Sequence, residues 1–317
     1  MKQLLLFAIV LLMLSLFFFT GCKKDGFVAP KIKDSTVTTI ATGSYYYLAT
    51  DNTGDVYTLG LGADTIYKFD AVSGKSRFYA LPITTDHDTV VVSKLECLTS
   101  DSSGNIYTVN VNNAGYANVL KISQSGSVST IFSNINAKRG FRITNIASSK
   151  GNFYFSDGTG IYEIAPGDTP VLLATSFSSD FAVDADGNVI YNTYTYANNV
   201  GELNLNQVSP QGVISVIVAG LYNTGNSSVF DDDIATDKFG NIYAGILNNS
   251  FTLLKVSAAK KVTTIMTSAY GNIDGPLRTA KIGAAFNLVA DPSGNIYFSQ
   301  NNSSSGNPVF SLRKITF

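Results

Sequence analysis

The chain alternates between short apolar runs and short polar turns over nearly its whole length. Runs such as FAVD at 181–184 and LVAD at 288–291 are rich in Val, Leu and Phe, and other runs add Ile and Tyr. Short runs of β-branched and aromatic residues bounded by turn residues are typical of strands. The intervening Gly, Asn, Asp and Ser residues favour tight reversals of the chain. The pattern therefore predicts an all-β protein built from short antiparallel strands.

One phrase recurs six times and defines a repeat. It reads DNTGDVY, DSSGNIY, SSKGNFY, DADGNVIY, DKFGNIY and DPSGNIY, starting at residues 51, 101, 148, 184, 237 and 291. We interpret each copy as strand, turn and strand, in which the Asp caps the turn and the Gly supplies a positive φ. In the third copy we place Ser148 at the Asp position. The intervals of 36 to 54 residues match the roughly 40–50 residues of a propeller blade.

A third and a fourth strand follow each phrase, except that the sixth repeat has no fourth strand. The segment VTTIAT at 37–42 resembles the fourth strand VTTIMT at 262–267. We therefore expect residues 37–42 to complete the last blade from the N-terminal side. The predicted fold is a six-bladed β-propeller of four-stranded blades over residues 35–317. Closing the ring in this way pairs the two termini in one sheet and removes a free edge.

The last repeat, from Gly271 to Phe317, resembles the NHL-repeat family. It contains the lead-in GNIDGPLRTAKIGAAF, the core DPSGNIY and a third strand with RKI. The resemblance extends to all six repeats at the core phrase. It implies a six-bladed propeller but leaves the function open, because the family includes both binding platforms and enzymes.

The N-terminal residues 1–21 predict a lipoprotein signal peptide. Lys2 precedes an apolar run that ends at Phe19, followed by Thr-Gly and Cys22. This arrangement resembles the lipobox of bacterial lipoproteins, in which the cysteine becomes the lipid-bearing first residue. The resemblance implies an exported protein of the cell envelope, anchored to a bacterial membrane through Cys22; an ordinary cleaved signal or a short membrane anchor is the alternative. Residues 22–34 are polar, with Gly and Pro, and predict a flexible tether.

Charged residues make up 14% of the chain and the net charge is −1. No basic cluster is present, so we predict no nucleic-acid partner. With Cys22 lipidated, Cys97 is left as a single thiol and is interpreted as a buried, inert cysteine. The one histidine, His87, lies in a predicted loop and defines no catalytic pair.

The loops of the predicted propeller fall into two sets on opposite faces. The loops from second to third and from fourth to first strands are long and rich in Asn, Ser and Tyr, so we place the site on their face. Counting back from each turn Gly identifies the residues at that channel mouth. Eight residues back are Tyr46, Glu96, Ile143, Ser179, Asp232 and Phe286; seven back are Tyr47, Cys97, Thr144, Asp180, Asp233 and Asn287.

The polar members of these sets form the predicted ligand site: Tyr46, Tyr47, Glu96, Asp180, Asp232, Asp233 and Asn287. Their oxygens suit a hard cation such as Ca²⁺, or hydrogen bonds to a sugar or polar peptide. Lactonase-like propellers carry Glu, Asn and Asp residues at the eight-back positions and bind a divalent metal there. This chain is similar to them at Glu96 and Asp232, and the metal-ligand candidates are Glu96, Asp232 and Asp233.

The sequence favours a lipid-anchored binding or scaffold module. Its partner would be a polar small molecule, a glycan or a protein that contacts the long-loop face, whose polar loops resemble adaptable binding surfaces. A metal-dependent hydrolase or lyase with an acidic site at the channel mouth is the alternative. A purely structural surface protein is the third hypothesis.

Overall fold

The computed structural model describes residues 35–43, 45–60, 65–70, 74–80, 95–111, 116–136, 145–157, 159–165, 169–175, 180–197, 200–225, 231–302 and 310–317. For residues 74–80, 111, 134–136, 197, 200, 224–225 and 231–232 it describes the backbone alone. The predicted signal peptide, tether and lipidated Cys22 lie outside these ranges.

The described residues form six antiparallel sheets arranged as the blades of a ring. Blade 1 contains β2 to β5, at Tyr45–Thr50, Val56–Gly60, Thr65–Asp70 and Gly74–Ala80. Blade 2 contains β6 to β9, at Leu95–Ser100, Ile106–Val111, Tyr116–Ile122 and Val128–Asn136. Blade 3 contains β10 to β13, at Asn145–Ser149, Asn152–Ser156, Ile161–Ile164 and Val171–Ala174.

Blade 4 contains β14 to β17, at Phe181–Val183, Val189–Ala197, Val200–Val208 and Ile214–Gly225. Blade 5 contains β18 to β21, at Asp231–Thr236, Ile242–Asn248, Ser250–Val256 and Val262–Ser268. Blade 6 contains β1, β22, β23, β24 and β25, at Thr36–Thr42, Gly275–Pro276, Ala284–Ala290, Ile296–Asn301 and Phe310–Thr316. The prediction of an all-β, six-bladed propeller is confirmed.

The ring closes through its N-terminal strand, as the sequence predicts. Strand β1 pairs antiparallel with β25, with Val37 opposite Ile315. One feature was not predicted: the two-residue strand β22 pairs with the other side of β1, with Gly275 opposite Val37. Blade 6 therefore has five strands, and part of the edge of β1 is covered.

The apolar core lies between the blades. At the junction of blades 6 and 1, for example, Leu312 and Tyr297 pack against Leu48, Val56 and Phe69. Similar clusters occupy the other five junctions. Both faces of a blade are therefore buried, which explains why a strand such as β3 is buried at every position instead of alternating.

The recurring phrase is a hydrogen-bonded unit built around its Asp. In blade 1, Oδ1 of Asp51 accepts hydrogen bonds from the backbone N–H groups of Thr53 and Asp55, each at 3.0 Å. The Tyr57 hydroxyl donates to Oδ2 of Asp51 at 2.9 Å. Burial, followed by the bond to Asp51, raises the pKa of Tyr57 to about 12. The same unit recurs at Asp101, Asp237 and Asp291.

The hairpin of the third copy is one residue shorter than in blade 2, and the assignment of Ser148 to the Asp position was wrong. Ser148 lies in β10 opposite Phe153, and a two-residue turn follows it. Both turn residues have positive φ, 52° at Lys150 and 86° at Gly151, as in the tight hairpins that match strand twist. The turn therefore has no position for an Asp cap.

Blade 3 supplies its carboxylate from a different strand. Glu163 of β12 accepts hydrogen bonds from Asn152 at 2.7 Å and from the Tyr154 hydroxyl at 3.1 Å. Four other blades have a Lys at this position, with its ammonium 5.0 to 5.8 Å from the centre of the paired Tyr ring: Lys68, Lys121, Lys255 and Lys314. The loss of the Asp cap and the change from Lys to Glu in blade 3 thus compensate for each other.

A buried arginine joins the parts of the closing blade. Arg313 of β25 is fully buried. Its Nη1 donates to the Lys281 carbonyl and to Oε1 of Gln300, each at 2.7 Å. Its Nη2 donates to the Ile273 carbonyl at 3.0 Å and to Oδ1 of Asp274 at 2.7 Å. One side chain therefore connects the β21–β23 segment to the centre of the blade.

The same network holds the N-terminal strand. Asp274 accepts hydrogen bonds from the Thr39 backbone N–H at 2.8 Å and from the Thr39 hydroxyl at 2.9 Å. Partial burial alone would raise the pKa of Asp274, but the hydrogen bonds from Thr39 and Arg313 outweigh burial and lower it. Strand β1 is therefore fixed by an ionised carboxylate as well as by its ladder.

Replacing Arg313 by Met will lower the free energy of unfolding by about 3 kcal/mol or more. The change leaves a buried amide oxygen and two carbonyl groups without their donor. The measurement is the urea midpoint followed by far-ultraviolet circular dichroism. Arg278→Met, at an exposed position in the same segment, is the matched control and should change stability by less than about 0.5 kcal/mol. Equal midpoints for the two variants would contradict the role of Arg313.

Glu163→Lys will destabilise the protein although it introduces the residue that four other blades carry there. Tyr154 and Asn152 lose their acceptor, at a cost of about 1–2 kcal/mol, so the melting temperature should fall by a few degrees. The control is Gln207→Lys in blade 4, where the residue opposite is Ile190; it should be neutral. Calorimetry showing that Glu163→Lys is also neutral would rule out the compensation.

Candidate functional site

A cavity of about 270 Å³ lies on the axis of the ring and is lined by the first strand of every blade. Toward the long-loop face its lining is polar, with Tyr47, Asn145, Asp180 and Asn287. In the middle the lining is apolar, with Leu98, Ile146, Phe181, Ile234 and Leu288. We call the polar end the long-loop mouth and the opposite end the short-turn mouth.

The short-turn mouth is held together by side-chain hydroxyl groups. Four of them donate to a carbonyl oxygen of a neighbouring blade at 2.6 to 3.0 Å: Thr50 to Ala290, Ser100 to Thr50, Ser148 to Ser100, and Thr236 to Val183. These bonds join blades whose first strands share no ladder. Their role is structural, because each hydroxyl group is engaged within the protein.

Cross-strand register places Asn145 at the long-loop mouth as the contribution of blade 3. Asn145 lies opposite Ser156, as Glu96 lies opposite Val109 in blade 2. Counting from the turn Gly instead gave Ile143 and Thr144, which lie outside the described residues. The count overshoots by two residues, because the hairpin of blade 3 is shorter by one residue and its first strand has no bulge. The shorter hairpin could have been inferred from the sequence, because Lys150 and Gly151 form a two-residue turn without a preceding Asp.

The predicted site residue Asp180 bridges three blades. Its Oδ2 accepts a hydrogen bond from the backbone N–H of Ile234 in blade 5 at 2.7 Å, and its Oδ1 accepts one from the amide of Asn145 in blade 3. The Asn145 amide also donates to the Phe181 carbonyl at 3.0 Å, and its oxygen accepts from the N–H of Ile146 at 2.7 Å. Asp180 and Asn145 therefore stabilise the mouth.

The mouth has two unlike halves. In blades 6, 1 and 2, which are neighbours in the ring, the first strand contains a bulge at the same level, with one inserted residue of positive φ: Asn287 at 54°, Tyr47 at 36° and Cys97 at 58°. In blades 3 and 5 the first two strands pair through this level without a bulge, and in blade 4 the described pairing begins at Phe181, just beyond it. We call blades 6, 1 and 2 the bulged half.

The backbone of the bulged half is strained. Residues other than Gly avoid the left-handed region, because adopting it costs about 1–2 kcal/mol per residue. Asn is among the residues that tolerate it best. Asn287 is half-buried and lines the cavity. Its side chain makes no hydrogen bond to any residue that the structure describes. The bulge therefore presents an amide group that is available to a ligand.

An aromatic cluster at the junction of blades 6 and 1 includes Phe286, the residue before Asn287, and Tyr47, which lines the cavity with Asn287. The ring of Tyr46 is 4.8 Å from that of Phe310 and 6.1 Å from that of Tyr47, and Phe286 is 6.5 Å from Phe310. Phe310 is buried, whereas Tyr46 is 37% exposed. We call these four residues the aromatic corner. It presents one exposed aromatic ring, that of Tyr46, which precedes the cavity-lining Tyr47 in the chain.

The predicted acidic residues are spread around the ring. Glu96, in the bulged half, is only 5% exposed. Asp233 is half-buried in β18 opposite Gly245, and Asp232 lies opposite Ile246, with its backbone alone described. Among the described residues, no three His, Cys, Asp or Glu side chains lie close enough to hold a metal ion. The metal site at Glu96, Asp232 and Asp233 stays a prediction.

Two further predictions concern single residues. Cys97 is buried in the apolar cluster between blades 2 and 3, in agreement with an inert thiol. His87 and most of the long loops lie outside the described residues. In the part of the chain that is described, no helix is long and apolar enough to cross a membrane.

Comparisons with known proteins identify the fold. No protein-family model matches the chain, and no curated protein sequence matches it. Similar solved structures include the PQQ-bound aldose sugar dehydrogenase of Streptomyces coelicolor, at 15% identity and a TM-score of 0.56, covering 89% of this chain and 98% of that one. A protein of unknown function from Bacteroides thetaiotaomicron has 14% identity and a TM-score of 0.58, covering 89% and 76%.

A third similar structure is a gluconolactonase of Xanthomonas campestris, at 9% identity and a TM-score of 0.54, covering 90% of this chain and 91% of that one. These neighbours are six-bladed propellers, and they include enzymes that act on sugars and lactones. At such low identity the likeness establishes the architecture alone.

Asp180→Ala will lower the free energy of unfolding by about 1–3 kcal/mol, because the N–H of Ile234 and the amide of Asn145 lose a partly buried acceptor. The measurement is the urea midpoint of the purified protein. The control is Asn287→Gly in the bulged half, which should stay within about 0.5 kcal/mol of the parent. Gly relieves the left-handed backbone strain at this position, which stabilises the folded state. It also makes the unfolded chain more flexible, and this offsets the gain in stability. Equal stability of Asp180→Ala and the parent would contradict the bridge.

Proposed function

We propose that this protein is a binding module that takes a polar ligand at the bulged half of the long-loop mouth. The observation that carries this proposal is the left-handed bulge at one level in three adjacent blades. Strained residues persist where the surrounding structure holds them in place, and they concentrate at ligand sites. The available amide of Asn287 and the exposed ring of Tyr46 give the site a polar and an apolar contact.

The proposal includes the setting of the module. Residues 1–21 would direct export, Cys22 would carry the lipid, and residues 22–34 would connect the membrane to an NHL-type propeller over residues 35–317. The support is the lipobox-like Thr-Gly-Cys after an apolar run. A lipid-anchored propeller of this kind would bind a glycan, a small polar molecule or a protein partner in the cell envelope.

A metal-dependent hydrolase or lyase is the second candidate function. The structural likeness to a gluconolactonase and the deeply buried carboxylate of Glu96 at the mouth favour it. Glu96, Asp232 and Asp233 would then hold a divalent cation such as Ca²⁺. The ion would polarise a substrate carbonyl or lower the pKa of a bound water molecule.

A thermal-shift panel tests the binding site. The panel contains EDTA, Ca²⁺, Mg²⁺ and Zn²⁺, free monosaccharides, amino acids and short polar peptides. A ligand at about a hundred times its Kd stabilises the folded state by about 2.7 kcal/mol, which raises the melting temperature by a few degrees. We expect at least one compound to produce this shift in the parent protein and not in Asn287→Gly.

The matched control for this panel is Asn249→Gly. Asn249 also has a positive φ, 56°, but it lies in the turn between β19 and β20. This variant should keep the full ligand shift. A shift that survives Asn287→Gly would place the ligand elsewhere, and the absence of any shift would overturn the proposed function. A cation-specific shift that is lost in Asp233→Ala would instead support the hydrolase.

A further inference from the structure

The contacts in the bulged half specify a class of ligand. We propose that the aromatic corner and Asn287 bind a single pyranose ring, as a free monosaccharide or as the terminal residue of a glycan, with the sugar stacked on Tyr46. The inference rests on the proposed function of the long-loop mouth as a polar-ligand site. A pyranose has an apolar face of C–H groups and an edge of hydroxyl groups. A site for it therefore needs a flat apolar surface next to groups that both donate and accept hydrogen bonds.

Tyr46 provides the apolar surface. Its ring is 37% exposed and is held at 60° to the buried ring of Phe310 and at 54° to the ring of Tyr47. An aromatic side chain contributes a large contact area with only two side-chain torsions. Packing on two neighbouring rings restricts those torsions before the ligand arrives, so little conformational entropy is lost on binding.

Asn287 provides the polar contact. Its amide has two donor hydrogens and one acceptor oxygen, and no described residue uses them through a side-chain hydrogen bond. Adjacent hydroxyl groups of a pyranose can satisfy both the amide NH₂ and the amide oxygen at once. The left-handed bulge fixes the backbone of Asn287, so its direction is set by the fold. A flat apolar ligand would bury this amide without a partner, at a cost that disfavours it.

The size of the cavity limits the ligand to one ring. Pockets for drug-sized ligands measure about 300–1,000 Å³, and the axial cavity measures about 270 Å³. The side chains in the middle of the channel, such as Leu98, Ile146 and Phe181, are apolar, which disfavours burying sugar hydroxyl groups deeper inside. The ring is therefore bound at the mouth, and any further residues of a glycan extend outward.

The absence of tryptophan from the sequence allows a direct test. Tyr46→Trp places a single indole reporter at the rim, and Tyr196→Trp places one at a 68% exposed position in β15 of blade 4. Both variants are titrated with free glucose, galactose, mannose, fucose and N-acetylglucosamine. We expect saturable emission changes with at least one sugar for Tyr46→Trp and none for Tyr196→Trp.

Calorimetry with the same sugars separates stacking from folding. Tyr46→Ala should weaken binding about tenfold or more, as expected for an aromatic anchor, whereas Tyr46→Phe should stay within about threefold of the parent. Melting temperatures of both variants verify that they are folded. A glycan array then distinguishes the sources: binding to arrayed glycans that free sugar displaces identifies a terminal residue, and binding of free sugar alone identifies a monosaccharide.

Three outcomes overturn the inference. Sugar binding that Tyr46→Ala leaves unchanged removes the aromatic corner from the site. A cation, amino acid or peptide that shifts the melting temperature in an Asn287-dependent way, with no sugar binding, overturns the sugar assignment and leaves the proposed function standing. Failure of every compound in both experiments overturns the two together.

Discussion

The burial of both faces of every blade is the constraint on which the rest of this structure depends. A four-stranded sheet that is apolar on both sides is unstable alone, because each face needs a neighbour to exclude water. Six such sheets satisfy one another only when the sixth meets the first. The cluster of Leu48, Val56 and Phe69 with Tyr297 and Leu312 is that last junction. Ring closure is therefore a requirement of the core.

Closure also explains the unusual polar content of blade 6. The final junction requires a strand from the other end of the chain, and the ladder between β1 and β25 is reinforced by Arg313, Asp274 and Thr39. A fully buried guanidinium group is costly to desolvate, and several hydrogen bonds are needed to offset the cost. No other arginine is among the buried residues that the structure describes. The position of Arg313 beside the pairing of β1 with β25 indicates where the ring needs a specific connection.

Much of the architecture could be predicted from the sequence because it depends on local patterns. The six phrases, their spacing and the displaced strand at 37–42 all follow from strand periodicity and turn chemistry. The channel mouth was predicted less well, since it depends on register. A count from the turn Gly misses the shorter hairpin of blade 3 and so misses Asn145. It also misses the bulges, which appear only when strand pairing is known.

The roles of the mouth residues could not be read from their types. Asp180 was selected as a ligand-binding carboxylate, but its oxygens accept hydrogen bonds from residues 35 and 54 positions away along the chain. No local pattern encodes such bonds. Asn287 differs because its bulge faces the channel and its amide has no described partner. The distinction between a structural and an available polar group is set by tertiary contacts.

Strand β25 belongs both to the candidate site and to the β1–β25 pairing that closes the ring. Formation of the site therefore depends on ring closure. Phe310, the first residue of β25, accepts a hydrogen bond from the N–H of Gly43, just after β1, at 2.9 Å. Its ring supports Tyr46, the exposed residue of the aromatic corner. The corner therefore takes its shape only when β1 has joined β25. Since β1 is also the first strand that the structure describes, the site forms at the junction where the N-terminal strand of the propeller closes the ring.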